Sequence, residues 1–306
     1  MLSLPHGYYG IAPDQRGFGE ASADAKIDAT RGMGDLADDV IALLDTLSIR
    51  KAHIVGNSLG GSVVWRLLME HPDRFLTATQ VAPGSPFGFG GTKGLTGIPC
   101  FDDHAGSGAG LVSRKLLSHI AQGDRSAASP FSPRSVLRNL VFRPSCIPER
   151  EEDLLSSLLS IHLGEQDFPG DHIVSPHWPF AAPGHWGPAN ALSPKYADAI
   201  TRLYRIVPKV PLLWIRGSHD ASVSDTAASD AGRLGQLGLM PGWPGAAVFP
   251  PQPMVGQTRA VLHEYKRSGG EAKEIVIEGT GHVPFIDNLG EFNIHFHTHI
   301  TSTIHS

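Results

Sequence analysis

Ser58, Asp220 and His282 occur in this 306-residue chain in the order and settings that nucleophilic acyl chemistry requires. Ser58 is the centre of Gly56-Asn57-Ser58-Leu59-Gly60, a match to G-x-S-x-G. That pattern calls for a strained turn that lifts the hydroxyl clear of a sheet. Small residues two before and two after it let strand and helix approach closely. A Ser hydroxyl is a poor nucleophile until a base takes its proton, and the base must be a His held in one tautomer by a carboxylate. Asp220 closes Gly217-Ser218-His219-Asp220, and His282 lies in Gly279-Thr280-Gly281-His282-Val283-Pro284. Taken alone, Asp220 reads equally well as a turn-forming surface residue. With sixteen histidines in the chain, a lone His says little. His282 stands out by its place third in the order Ser, Asp, His, each just after an expected strand.

Three such residues can converge where a parallel sheet carries them past the carboxyl ends of its strands, where ligand-facing groups collect. Short apolar runs predict strands over 8–12, 52–55, 76–81, 210–216 and 273–278. Between them, Leu36, Val40, Leu43, Leu44 and Leu47 fall at helical spacing after Asp35, and helices are expected over 61–70 and 255–267. This alternation predicts an α/β fold with a mostly parallel sheet and flanking helices. The pattern breaks down after Pro83, so residues 1–84 and 201–306 form the expected core. Residues 85–200 form an inserted lid with helices over 110–120 and 151–163. The lid aromatics Phe87, Phe89, Trp178, Phe180 and Trp186 either line an apolar pocket or make a small core of their own.

The motifs resemble the α/β-hydrolase superfamily in its lipase- and esterase-like branch. Besides the serine elbow, Ala12-Pro13-Asp14-Gln15-Arg16-Gly17-Phe18-Gly19 is similar to the family's A-P-D-x-R-G-x-G segment. Leu213-Trp214-Ile215-Arg216-Gly217-Ser218-His219-Asp220 resembles its acid segment, and Gly281-His282 with Pro284 its base segment. The resemblance implies attack by Ser58 on an acyl carbon, proton transfer through His282, orientation of His282 by Asp220, and an oxyanion donor in the Leu59 backbone N–H. A serine at the elbow fits an ester, thioester, lactone or activated carbon–carbon bond of a small to medium apolar acyl compound. It fits poorly the branches that attack epoxides or haloalkanes with a carboxylate. No cofactor is implied.

The family also places a strand and an H-G loop, source of a second oxyanion donor, ahead of the A-P-D segment. His6-Gly7 stands too close to the strand expected at 8–12 to be that loop. The expectation is therefore an N-terminally incomplete fold, from a chain that begins late or from a shortened relative. The alternative function is that of a catalytically impaired hydrolase fold that binds a small ligand or partner.

Composition narrows the field further. Hydrophobic residues make up 41% and charged residues 18%, enough apolar material for a sizeable core. A formal charge of −5 without basic runs argues against nucleic acid or anionic membrane as partner. No apolar stretch reaches the roughly 20 residues of a membrane span, the N-terminus lacks a basic leader, and Thr303-Ile304-His305-Ser306 matches no common address signal, so cytoplasm is the default location. Cys100 and Cys146 require no bridge. His295, His297, His299 and His305 lack a carboxylate or cysteine cluster beside them, and no metal site is expected.

Overall fold

Alternation along one strand explains the layering of the molecule. In the computed structural model, which describes residues 4–302, strand Leu212–Gly217 is buried on both faces. Successive side chains on a strand point to opposite sides. Leu212 and Trp214 accordingly join one apolar cluster, and Leu213 and Ile215 join another. A strand apolar on both faces must be covered by helices on both faces, the arrangement of parallel sheets.

The main sheet has four strands in chain order: β1 (Ala52–Asn57), β2 (Phe75–Val81), β3 (Leu212–Gly217) and β4 (Ala272–Ile277). All three pairings are parallel. Six helices are used below: α1 (Gly34–Thr46), α2 (Leu59–Glu70), α3 (Arg114–Ala121), α4 (Glu151–Leu159), α5 (Met254–Arg267) and α6 (Leu289–Thr301). The larger cluster joins Leu36 and Leu44 of α1, Leu67 and Leu68 of α2, and Val261 and Tyr265 of α5 to one face of the sheet. On the other face, Phe292, Phe296 and Ile300 of α6 cover Val81, Leu213, Ile215 and Ile277. Each fully buried Leu or Ile side chain contributes roughly 1.5 to 3 kcal/mol, so the two clusters hold sheet and helices together. No helix among the described residues is long and apolar enough to cross a membrane.

The expected strand over 8–12 is absent. Residues 8–12 have no regular structure, and Tyr9 and Ile11 are 96% and 51% exposed. An apolar run becomes a strand only beside a partner that takes its backbone hydrogen bonds, and these residues pair with none. Tyr8 instead lies across the sheet edge, its hydroxyl donating to Ile300 O at 3.2 Å and its ring 5.7 Å from that of His53.

Between β2 and β3 the chain forms three two-stranded ribbons, α3, α4 and a π turn at Leu137–Val141. The helix expected over 151–163 stops at Leu159, because the following residues turn to bridge Ile161 to Phe18. The expected helix over 110–120 is split into a 3₁₀ turn, Ala109–Leu111, and α3. The aromatics of this region do not converge: Phe87 packs on the main core, Phe89 beside Met254, and Trp178 against Phe249, while Phe180 is 59% exposed. Cys100 and Cys146 are free thiols. His299 lies within hydrogen-bond reach of Ala78 O at 3.2 Å, whereas His305 and the Thr303–Ser306 tail lie outside the described residues.

Candidate active site

The turn between β1 and α2 carries Ser58 at φ 54° and ψ −117°, a conformation that costs a non-glycine residue about 1 to 3 kcal/mol. Backbone bonds fasten it on both sides. Ser58 N–H donates to Val81 O at 3.1 Å, and Ser58 O accepts from Gly61 N at 3.0 Å and Gly84 N at 3.2 Å. At Gly56 a Cβ would fall 2.2 Å from Gly60 O, so only glycine fits there. Gly60 does not have the role expected of the second motif glycine, since a Cβ there meets nothing within 4 Å. The close approach belongs to Gly61, whose Cβ would lie 2.5 Å from Pro83 Cβ and 2.6 Å from Gln80 Oε1. Leu59 opens α2, and the first N–H groups of a helix have no intrahelical partner. Its N–H is therefore placed like the donor expected there.

Asp220 and His282 are brought together. His282 Nδ1 lies 2.9 Å from Asp220 Oδ2, with both side chains buried. Asp220 Oδ1 accepts Ser222 N at 2.8 Å and Val223 N at 2.9 Å, so backbone donors hold the carboxylate on one side while its other oxygen faces the ring. A carboxylate beside Nδ1 takes that nitrogen's proton in a hydrogen bond and leaves the Nε2 lone pair free. The two loops are interlocked: His219 N donates to Thr280 O at 2.9 Å, and a Cβ on Gly217 would lie 2.1 Å from Gly281 O.

The elbow reaches this pair through a residue that the motif leaves unspecified. Asn57 Nδ2 donates to Val81 O at 3.0 Å and to His282 O at 3.3 Å, tying the Ser58 turn to the His282 loop. Among the described residues no hydrogen bond joins Ser58 Oγ to the His282 ring. The sequence reading missed Asn57, Ser222 and Asp287, whose carboxylate accepts Gly281 N at 2.7 Å beside His282. Asn57 stood inside the motif, but nothing in spacing identifies a partner 225 positions away.

The comparisons with known proteins bear on the fold. Residues 2–94 match the family model described as alpha/beta hydrolase fold. An epoxide hydrolase from Caballeronia sordidicola is 41% identical over 69 residues, 22% of this chain and 21% of that protein. A 2-hydroxy-6-oxo-6-phenylhexa-2,4-dienoate hydrolase from Burkholderia cepacia is 38% identical over 78 residues, 26% and 27% of the two chains. The matched stretch thus spans about a quarter of the length of these curated relatives. In three dimensions, a serine hydrolase from the polyaromatic hydrocarbon-degrading bacterium Cycloclasticus zankles aligns with a TM-score of 0.52 at 18% identity, over 94% of this chain and 77% of that one. With its parallel sheet and its likeness to that structure, the chain has the α/β-hydrolase fold, and residues 2–94 match the family model of that fold.

Proposed function

We propose that this chain is a serine hydrolase that cleaves an ester, thioester, lactone or activated carbon–carbon bond of a small to medium apolar acyl compound. The observation that carries the reading is the buried Asp220–His282 pair, 2.9 Å apart, with the His282 loop bonded to the strained Ser58 elbow. In this mechanism His282 Nε2 takes the Ser58 hydroxyl proton as Oγ attacks the acyl carbon. The oxyanion forms beside the Leu59 N–H, and the leaving group departs with the proton from His282. Water, deprotonated by His282, then hydrolyses the acyl-enzyme and restores Ser58. Hydrogen bonds between nucleophile and base are often long in the free enzyme and tighten with substrate, which fits the open Ser58–His282 contact. Residues 85–200 would cover the site as a lid, and no cofactor takes part.

The names of the relatives, hydrolases of an epoxide and of a dienoate, support hydrolysis as the reaction class. A second reading, an impaired hydrolase fold that binds a ligand, draws on the absence of a Ser58–His282 hydrogen bond among the described residues. Labelling with a serine-directed fluorophosphonate, the adduct located by mass spectrometry, separates the two. The hydrolase reading expects an adduct on Ser58 that Ser58→Ala abolishes. A folded wild-type chain that takes no label favours the binding reading.

A further inference from the structure

Asp287 ends the single turn Pro284–Asp287 that follows His282, and it is buried. Its Oδ2 accepts two backbone N–H groups from distant parts of the chain. One is Gly281 N at 2.7 Å, next to His282, and the other is Arg143 N at 2.9 Å, from the region between β2 and β3. The π turn Leu137–Val141, just before Arg143, reaches the same loops with its carbonyls. Val141 O accepts His282 N at 2.8 Å, and Leu140 O accepts Ser222 Oγ at 2.7 Å, close to Asp220. Packing leaves little slack, since a Cβ on Gly281 would lie 2.7 Å from the Phe142 carbonyl carbon. π turns are rare and are frequent at functional sites.

We propose that Asp287 is a positioning residue whose carboxylate ties the His282 loop to the 137–143 turn and so fixes the imidazole against Asp220. This rests on the reading of His282 as general base. Accepting two N–H groups requires an oxygen and not a charge, so the amide oxygen of Asp287→Asn can replace Oδ2. Asp287→Ala and Asp287→Leu leave both N–H groups without an acceptor and release the loop. Misplacing a reacting group by about 1 Å costs on the order of 100-fold in rate.

The test combines two readouts on the full chain. One is the low-field proton resonance of the imidazole N–H facing Asp220, assigned by its loss in His282→Gln. The other is steady-state hydrolysis of an activated acyl ester. Asp287→Ala should lose or shift the resonance and fall in kcat by roughly 10- to 100-fold with little change in KM, whereas Asp287→Asn keeps both near wild type. Asp287→Leu, which keeps the branched heavy-atom shape, is read in place of Asp287→Ala if circular dichroism shows that the Ala variant does not fold. An unchanged resonance in a folded Ala or Leu variant overturns the proposal, as does an Asn variant impaired as much as Ala. If the wild type neither hydrolyses the ester nor takes the fluorophosphonate, the hydrolase reading fails, and the resonance still decides the role of Asp287.

Discussion

Replacing Asp220 by Asn changes one atom, and the surrounding hydrogen bonds dictate which way the amide faces. Oδ1 accepts the N–H groups of Ser222 and Val223 at 2.8 and 2.9 Å, and Oδ2 faces His282 Nδ1 at 2.9 Å. An amide NH₂ turned toward those two backbone donors would leave both unpaired, at about 1 to 3 kcal/mol each. The amide carbonyl therefore takes the Oδ1 position, and the NH₂ points at Nδ1. Nδ1 must then accept, so the ring proton moves to Nε2, the nitrogen that takes the Ser58 proton in the proposed mechanism. A base locked in the wrong tautomer in a Ser-His-Asp triad loses about 10⁴-fold, equivalent to about 5 kcal/mol of transition-state stabilisation. The assay is kcat/KM on an activated ester for wild type, Asp220→Asn and Ser58→Ala, with urea unfolding to show that the Asn variant is folded. The tautomer argument is refuted if Asp220→Asn retains more than about a tenth of wild-type kcat/KM while Ser58→Ala is inactive.

The elbow glycines should separate in a urea titration. Gly61→Ala crowds Pro83 and Gln80, and the overpacking outweighs the helix propensity gained, for a net loss of about 1 to 2 kcal/mol. Gly60→Ala meets open space and should stay within about 0.5 kcal/mol of wild type or gain slightly, although the motif marks that position. Acid should weaken the fold through His53 and His299. Burial lowers the pKa of both from the ordinary 6.5, and His53 lowers that of His299 further. Below 6.5 the unfolded chain takes up protons that the folded chain refuses. Stability is thus complete above that pH and is lost as pH falls through the lower folded-state values. A Tm series from about pH 7 to about pH 5 should fall for wild type and flatten for a His53→Gln, His299→Gln double variant. An equally steep fall in the double variant assigns the acid sensitivity to other groups.

Local patterns along the chain located most of the elements that frame the site. The strands expected at 76–81 and 273–278 correspond to Phe75–Val81 and Ala272–Ile277, and the helix expected at 255–267 to Met254–Arg267. These segments declare themselves because their apolar spacing is set by the repeat of the element itself. The run at 8–12 has the same composition as a strand, but a strand is defined by its neighbour, and that neighbour is not encoded within the run. The helix expected over 151–163 overran for a related reason: its last residues are claimed by a bridge to Phe18, far away in the chain.

The site divides in the same way. Residue type, glycine spacing and chain order were enough to single out Ser58, Asp220 and His282 as candidates, because a nucleophile elbow and the loops after two strands leave short, local signatures. Tertiary structure alone decided that Asp220 and His282 meet at 2.9 Å, that Gly61 and not Gly60 makes the close approach, and that Asn57 and Asp287 both bond to the His282 loop. Each of these is a contact between atoms whose separation along the chain carries no information about their separation in space. Hydrogen-bond geometry and excluded volume set them only after the sheet and its helices have closed around the loops.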